Sequence, residues 1–209
     1  MASIGHPIEA PVSDHAATST GLPNLKLAIW LFLASDCLLF GALISSYVLY
    51  RGASVVGPYP ADVFDIPYTS VSSFVLLASS LTMVLALSAT QRGDIGRMRV
   101  WLLATAMLGA TFLGGQVYEF TSFSHEGLTL TTNVFSTTFY VLTGFHGTHV
   151  AVGVVMLLSL VVFSYAGRIT QEKAETVELI GLYWHFVDIV WIVIFTVVYL
   201  IPTESPHGI

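Results

Sequence analysis

The sequence predicts an all-α fold, a polytopic membrane bundle with five transmembrane helices, and three observations carry that expectation. Hydrophobic residues make up 55% of the 209 and charged residues only 10%, whereas about a quarter of a soluble domain is charged. Five apolar runs are separated by polar punctuation, and each is long enough to cross a hydrocarbon layer of about 30 Å at about 1.5 Å per residue. Each run is apolar around its whole circumference, so helices bundled in lipid are the architecture that satisfies the backbone.

The chain divides into a tail, a membrane domain and a second short tail. Residues 1–25 are rich in Ser, Thr, Ala and Pro and show no apolar period, so they read as a flexible cytoplasmic tail in which His6 and His15 are solvated. The membrane domain spans 26–202, and 203–209 form an external tail. The first apolar run, about Lys26–Tyr50, follows a single lysine and is too long for the core of a signal peptide, so it reads as an uncleaved helix. The others cover about Tyr68–Thr90, Val100–Phe123, Asn133–Tyr165 and Val177–Ile201. The fourth exceeds what a bilayer requires, so it tilts or projects beyond it.

Orientation follows from the basic residues, because short cytoplasmic loops are enriched in Lys and Arg. Arg92, Arg97 and Arg99 lie in the Gln91–Arg99 loop, and Arg168 and Lys173 lie between the last two helices. With five helices these loops share a side with Lys26, and only Arg51 lies opposite. The N-terminus is therefore expected in the cytoplasm and the C-terminus outside. The Arg51–Pro67 connection, with Pro58, Pro60 and Pro67, then becomes an external loop, as does Ser124–Thr132.

The polar groups inside these runs ask for an explanation. Asp36 lies roughly 15 Å along the first helix, and His146, His149, His185 and Asp188 fall at comparable depth. A charged group at mid-bilayer costs on the order of 3 kcal/mol even on a lenient scale, so such groups must face protein or water. His185 and Asp188 share a helical face at i, i+3. They serve either as a packing hydrogen bond or as part of an ion path or ligand site. Asp36, surrounded by Leu and Phe, is costly to keep charged; it relays protons or simply holds another helix. The five residues form a candidate mid-membrane cluster. Gln116, Glu119 and Trp184 are candidates for contact with lipid or a neighbouring helix. Gly109, Gly114 and Gly115 in the third helix and Gly144, Gly147 and Gly153 in the fourth are read as close helix contacts without chemistry.

The histidines and carboxylates suggest divalent-metal ligands by residue type. Helical-bundle dimetal sites, however, use more carboxylates than this chain offers. A net charge of −6 and seven scattered basic residues argue against nucleic acid. The lone Cys37 makes no internal disulfide. Phosphate-binding loops, nucleophile elbows and paired-cysteine motifs are absent from the sequence. No catalytic residue is assigned to this chain.

Four runs in register resemble subunit III of the haem-copper terminal oxidases: Trp30-Leu-Phe-Leu-Ala-Ser-Asp-Cys, Gly115-Gln-Val-Tyr-Glu-Phe, Thr143-Gly-Phe-His-Gly-Thr-His-Val and Tyr183-Trp-His-Phe-Val-Asp-Ile-Val-Trp. The likeness extends from about Leu25 to Pro202 and is to the short five-helix bacterial form. The resemblance implies a subunit without redox centres of its own, part of a proton-pumping cytochrome c oxidase that reduces oxygen to water. Haems and copper would lie in partner subunits, with no metal bound by this chain. The implied partners are the catalytic subunit I, subunit II and a small subunit. The resemblance also implies bound phospholipid, support of proton uptake and a bacterial inner-membrane location. The membrane carboxylate of the first run is often Glu in this family and is Asp36 here. The Ser-Asp-Cys run and Phe64–Pro67 resemble the quinol-oxidase branch, whereas Gly144-Phe-His-Gly resembles the cytochrome c branch. The alternatives are a quinol oxidase subunit III and a free-standing small proton or ion transporter. The latter commonly shows internal repeats, none of which is visible in this sequence.

Overall fold

A computed structural model describes residues 24–53 and 64–201. The expected tails, with His6 and His15, lie outside the described residues but for Asn24 and Leu25, as do Pro58 and Pro60. Five helices are long and apolar enough to cross a membrane. They are α1 (Asn24–Tyr50), α2 (Ile66–Gln91), α3 (Ile95–His125), α4 (Val134–Tyr165) and α5 (Ala174–Phe195). A 3₁₀ turn at Gln171–Lys173 leads into α5, and a π turn at Thr196–Leu200 continues it.

The ends of these helices are written locally. Asp65 caps α2 by accepting from the Tyr68 N–H at 3.1 Å, and Asp94 caps α3 by accepting from the Arg97 N–H at 3.0 Å. Asn133 and Ser136 form a reciprocal capping box on α4. The C-termini of α2, α3 and α4 share one device. Gly93, Gly127 and Gly167 adopt φ of 75°, 87° and 68°, and the following N–H bonds back to the carbonyl of Ala89, Phe123 or Phe163, respectively. Glycine takes this left-handed conformation without a Cβ penalty, and the turn satisfies carbonyls that the helix end would leave open.

Three helix starts differ from the sequence reading. α1 starts at Asn24, inside the expected tail, and Pro67 lies in the first turn of α2, where its missing N–H costs nothing. Arg97 and Arg99 belong to α3 and not to the preceding loop. Hydropathy marks where apolar side chains stop, whereas a helix runs on to its cap. α4 continues unbroken for 32 residues, roughly 48 Å, and so exceeds the hydrocarbon thickness.

α2 and α3 pack as a hairpin, α4 packs on α3, and α5 lies against α2 and α4. α1 packs on α4 and α5. α5 is the most enclosed of the five and α1 the least. Trp184 of α5 is fully buried, and its ring fills the space over Gly109 of α3 and Gly153 of α4. Towards the far end of the bundle, Phe64 meets Tyr199 with ring centroids at 4.6 Å and Phe139 at 5.1 Å. This aromatic knot ties the segment before α2 to α4 and to the π turn.

Candidate functional site

The membrane carboxylates and imidazoles do not form one cluster. Among the described residues they separate into two linked groups and one enclosed ring. Asp36 of α1 meets His149 of α4, with Oδ2 at 3.5 Å from Nε2. His149 Nδ1 lies 2.7 Å from the carbonyl of Phe145. A carbonyl only accepts, so Nδ1 carries a proton and donates it. Nε2 faces the carboxylate within ion-pair distance but without a hydrogen bond, and among the described residues Asp36 Oδ2 has no hydrogen-bond partner. Tyr183 of α5 donates to the His149 carbonyl at 2.9 Å and so joins a third helix to it.

The second group couples α2 to α5. Ser80 Oγ lies 2.9 Å from His185 Nδ1 and donates to Asp188 Oδ2. Asp188 is 3% exposed, and among the described residues its Oδ1 has no hydrogen-bond partner. His146 belongs to neither group. It is fully buried, neither ring nitrogen has a hydrogen-bond partner among the described residues, and its ring stacks on Trp191 at 4.8 Å with Phe112 edge-on at 6.0 Å.

The three expected contact residues all make helix contacts. Glu119 Oε1 accepts from Thr69 at 2.7 Å and Tyr199 at 3.2 Å, which ties α3 to α2 and to the π turn. Gln116 donates to the Thr143 carbonyl at 2.9 Å. A Cβ on Gly147 would come within 2.7 Å of the Gln116 amide oxygen, so that glycine is what lets α3 and α4 approach. Trp184 donates to Ser79 at 2.9 Å, and Trp191 donates to Ser73 at 2.8 Å.

The α2 hydroxyls were not singled out in the sequence. Thr69, Ser73, Ser79 and Ser80 serve Glu119, Trp191, Trp184 and the His185–Asp188 pair. Their signal is there in retrospect: residues 69, 73 and 80 recur at helical spacing in an otherwise apolar run. Serine and threonine nevertheless satisfy themselves on their own helix so readily that the spacing carries little weight.

Two cavities flank these groups. One of about 350 Å³ lies among α1, α4 and α5, walled by Ile29, Phe32, Val152 and Met156, with His149 and Tyr183 also lining it. Another of about 270 Å³ lies among α1, α2 and α5 and is lined by His185. Among the described residues no three His, Cys, Asp or Glu side chains are grouped to hold a metal ion.

The family model for cytochrome c oxidase subunit III matches residues 9–202. The chain belongs to the cytochrome c oxidase subunit III family. Cytochrome c oxidase subunit 3 of Bacillus sp. (strain PS3) is 39% identical over 85% of this chain and 86% of the relative. Cytochrome bo(3) ubiquinol oxidase subunit 3 of Pseudomonas aeruginosa is 37% identical over 90% of this chain and 88% of its own length. Quinol oxidase subunit 3 of Bacillus subtilis is 34% identical over 88% and 89%. The family therefore includes subunits of oxidases named for both donors. Its members are parts of multi-subunit oxidoreductases, and this chain is a membrane protein with partner subunits.

Proposed function

We propose that this chain is a subunit of a proton-pumping cytochrome c oxidase that carries no redox centre itself, packs against the haem- and copper-bearing catalytic subunit, and sustains its proton uptake and working lifetime. The family match over residues 9–202, spanning the four runs that hold the membrane polar groups, carries the reading. Subunit II and a small subunit are further expected partners. The chain resides in the bacterial inner membrane with its N-terminus in the cytoplasm, on the argument that Lys26, Arg92, Arg97, Arg99, Arg168 and Lys173 share one side.

Two features supply the mechanism. The contact of Asp36 with His149 joins α1 to α4 through polar groups that face each other within the bundle. The 350 Å³ cavity beside it is apolar along its walls, and this suits a phospholipid acyl chain. Cytochrome c is the favoured donor. The quinol-oxidase reading is kept because relatives with that name match at 34% and 37% over similar lengths.

The test is a gentle-detergent purification through a tag on this chain, followed by a reduced-minus-oxidised spectrum. Haem bands with oxygen consumption driven by cytochrome c are expected. Consumption driven only by quinol would move the chain to the other branch. A haem-free species of this chain alone would overturn the oxidase reading in favour of a free-standing transporter.

A further inference from the structure

Ser80 of α2 touches two groups of α5 at once, His185 Nδ1 at 2.9 Å and Asp188 Oδ2. A hydroxyl has a single proton to donate. With that proton given to the carboxylate, the contact to His185 requires the imidazole proton on Nδ1. The three groups then form a directed chain, from Nδ1–H to Ser80 Oγ and from the Ser80 O–H to Asp188. The chain ends on a carboxylate whose second oxygen, Oδ1, is buried without a hydrogen-bond partner among the described residues.

Its other end opens on the cavity of about 270 Å³ lined by Lys26 and Trp30 of α1, Met83 and Leu87 of α2, and Glu178 and His185 of α5. With Nδ1 turned to Ser80, Nε2 is the ring nitrogen left for the cavity. Lys26 and Glu178 pair at 2.9 Å, are 30% and 44% exposed, and line the cavity together. From Glu178 to Asp188 the axis of α5 advances about 15 Å. The volume accommodates several waters at about 30 Å³ each. The titratable groups facing the cavity are Lys26 from α1 and Glu178 from α5, while Met83 and Leu87 of α2 carry no charge. On the α4 side of α5, Tyr183 meets His149, whose partner is Asp36. Among the described residues that pair makes no hydrogen bond to Ser80, His185 or Asp188.

We infer that His185, Ser80 and Asp188 are a proton relay connecting this cavity to a proton-storing carboxylate within the bundle. The donor is water or hydronium in the cavity. A proton binds Nε2 of His185, the Nδ1 proton passes to Ser80 Oγ, and the Ser80 hydroxyl proton passes to Asp188. The imidazole exchanges tautomers and stays neutral, serine is unchanged, and Asp188 goes from carboxylate to carboxylic acid. Release runs the same steps in reverse. The relay takes its purpose from the oxidase reading above, but its chemistry belongs to this chain alone.

The experiment is time-resolved infrared spectroscopy after a pH jump on the complex purified through this chain. Acidification is expected to raise a carboxylic-acid C=O band that is missing in Asp188→Asn. Ser80→Ala is expected to slow its rise roughly a hundredfold, the scale of a positioned proton-transfer group. Ser80→Thr, which keeps the hydroxyl, restores the rate. If Ser80→Ala does not assemble, His185→Gln interrupts the same chain one step earlier. A wild-type difference spectrum equal to that of Asp188→Asn overturns the relay, as does an unchanged rate in the interrupted variant. The band reports one carboxyl and not oxygen consumption. A silent Asp188 therefore rejects the relay and leaves the oxidase reading standing, and a haem-free preparation does the opposite.

Discussion

The Trp184 ring occupies the place of a side chain on Gly109: Cη2 of the indole stands 2.5 Å from where a Cβ on that glycine would be. Gly153 on the facing helix is in the same position, with Cε3 at 2.7 Å. One aromatic side chain thus sets the spacing of three helices. Gly109→Ala or Gly153→Ala should each destabilise by about 1–3 kcal/mol, the usual cost of overpacking a filled interior. Among the described residues nothing lies within 4 Å of a Cβ on Gly114 or Gly144, so alanine there should be neutral, or stabilising by about 0.5–1 kcal/mol through lower backbone entropy in the unfolded chain. Thermal unfolding in detergent across the four variants checks the contrast. A uniform response would mean that Trp184 does not set the spacing.

Glu119 accepts two hydroxyl donors on one oxygen. Glu119→Gln keeps an acceptor for both and should assemble normally. Glu119→Ala strands the Tyr199 hydroxyl in a buried site, at a cost on the order of 1–3 kcal/mol, whereas Thr69 keeps the Asp65 carbonyl at 3.0 Å. Denaturation midpoints of the two variants provide the comparison.

The contact of Asp36 with His149 makes a chemical prediction. Asp36→Asn keeps the size of the side chain and offers an N–H to Nε2, whose ring partner Nδ1 is engaged by the Phe145 carbonyl, so it should retain the copurifying subunits. Asp36→Ala and His149→Ala remove the contact and should lower recovery of partner subunits and shorten the turnover lifetime. Unchanged assembly, lipid content and lifetime in both alanine variants would deprive the pair of a role.

Arg99 was read in the sequence only as a marker of orientation. In the structure its guanidinium donates to Ser164 Oγ at 2.9 Å and to the Ser164 carbonyl at 2.7 Å, and it lies 4.2 Å over the Tyr165 ring. This joins the start of α3 to the end of α4. Lysine has no planar fork to make these contacts together. Arg99→Lys should therefore cost about 1 kcal/mol and loosen that end of the bundle, seen as faster amide exchange in residues 161–167 with little change elsewhere.

Five helices, their order and the likeness to oxidase subunit III were legible because lipid imposes a strong local rule. A span must be apolar, long and helical, and each of those properties can be read along a single chain. The helix ends were less legible at Ile95 and Ala174. There, Asp94 and the 3₁₀ turn decide where the helix starts, and hydropathy does not report either. Of the six glycines read as packing positions, Gly109, Gly115, Gly147 and Gly153 meet a neighbouring side chain, whereas among the described residues nothing packs against Gly114 or Gly144. A glycine's role depends on what faces it, and a single chain in order does not display that.

The sequence by itself placed Asp36, His146, His149, His185 and Asp188 well inside the apolar helices, because position along a helix is a count of residues. Only the tertiary structure decided their company. Rotation about each helix axis and the choice of neighbour are set by packing across helices. They direct Asp36 to His149, give His185 and Asp188 to Ser80, and enclose His146 between Trp191 and Phe112. Equal depth is necessary for two polar groups to meet, and the azimuth that makes them meet arises only when the bundle closes.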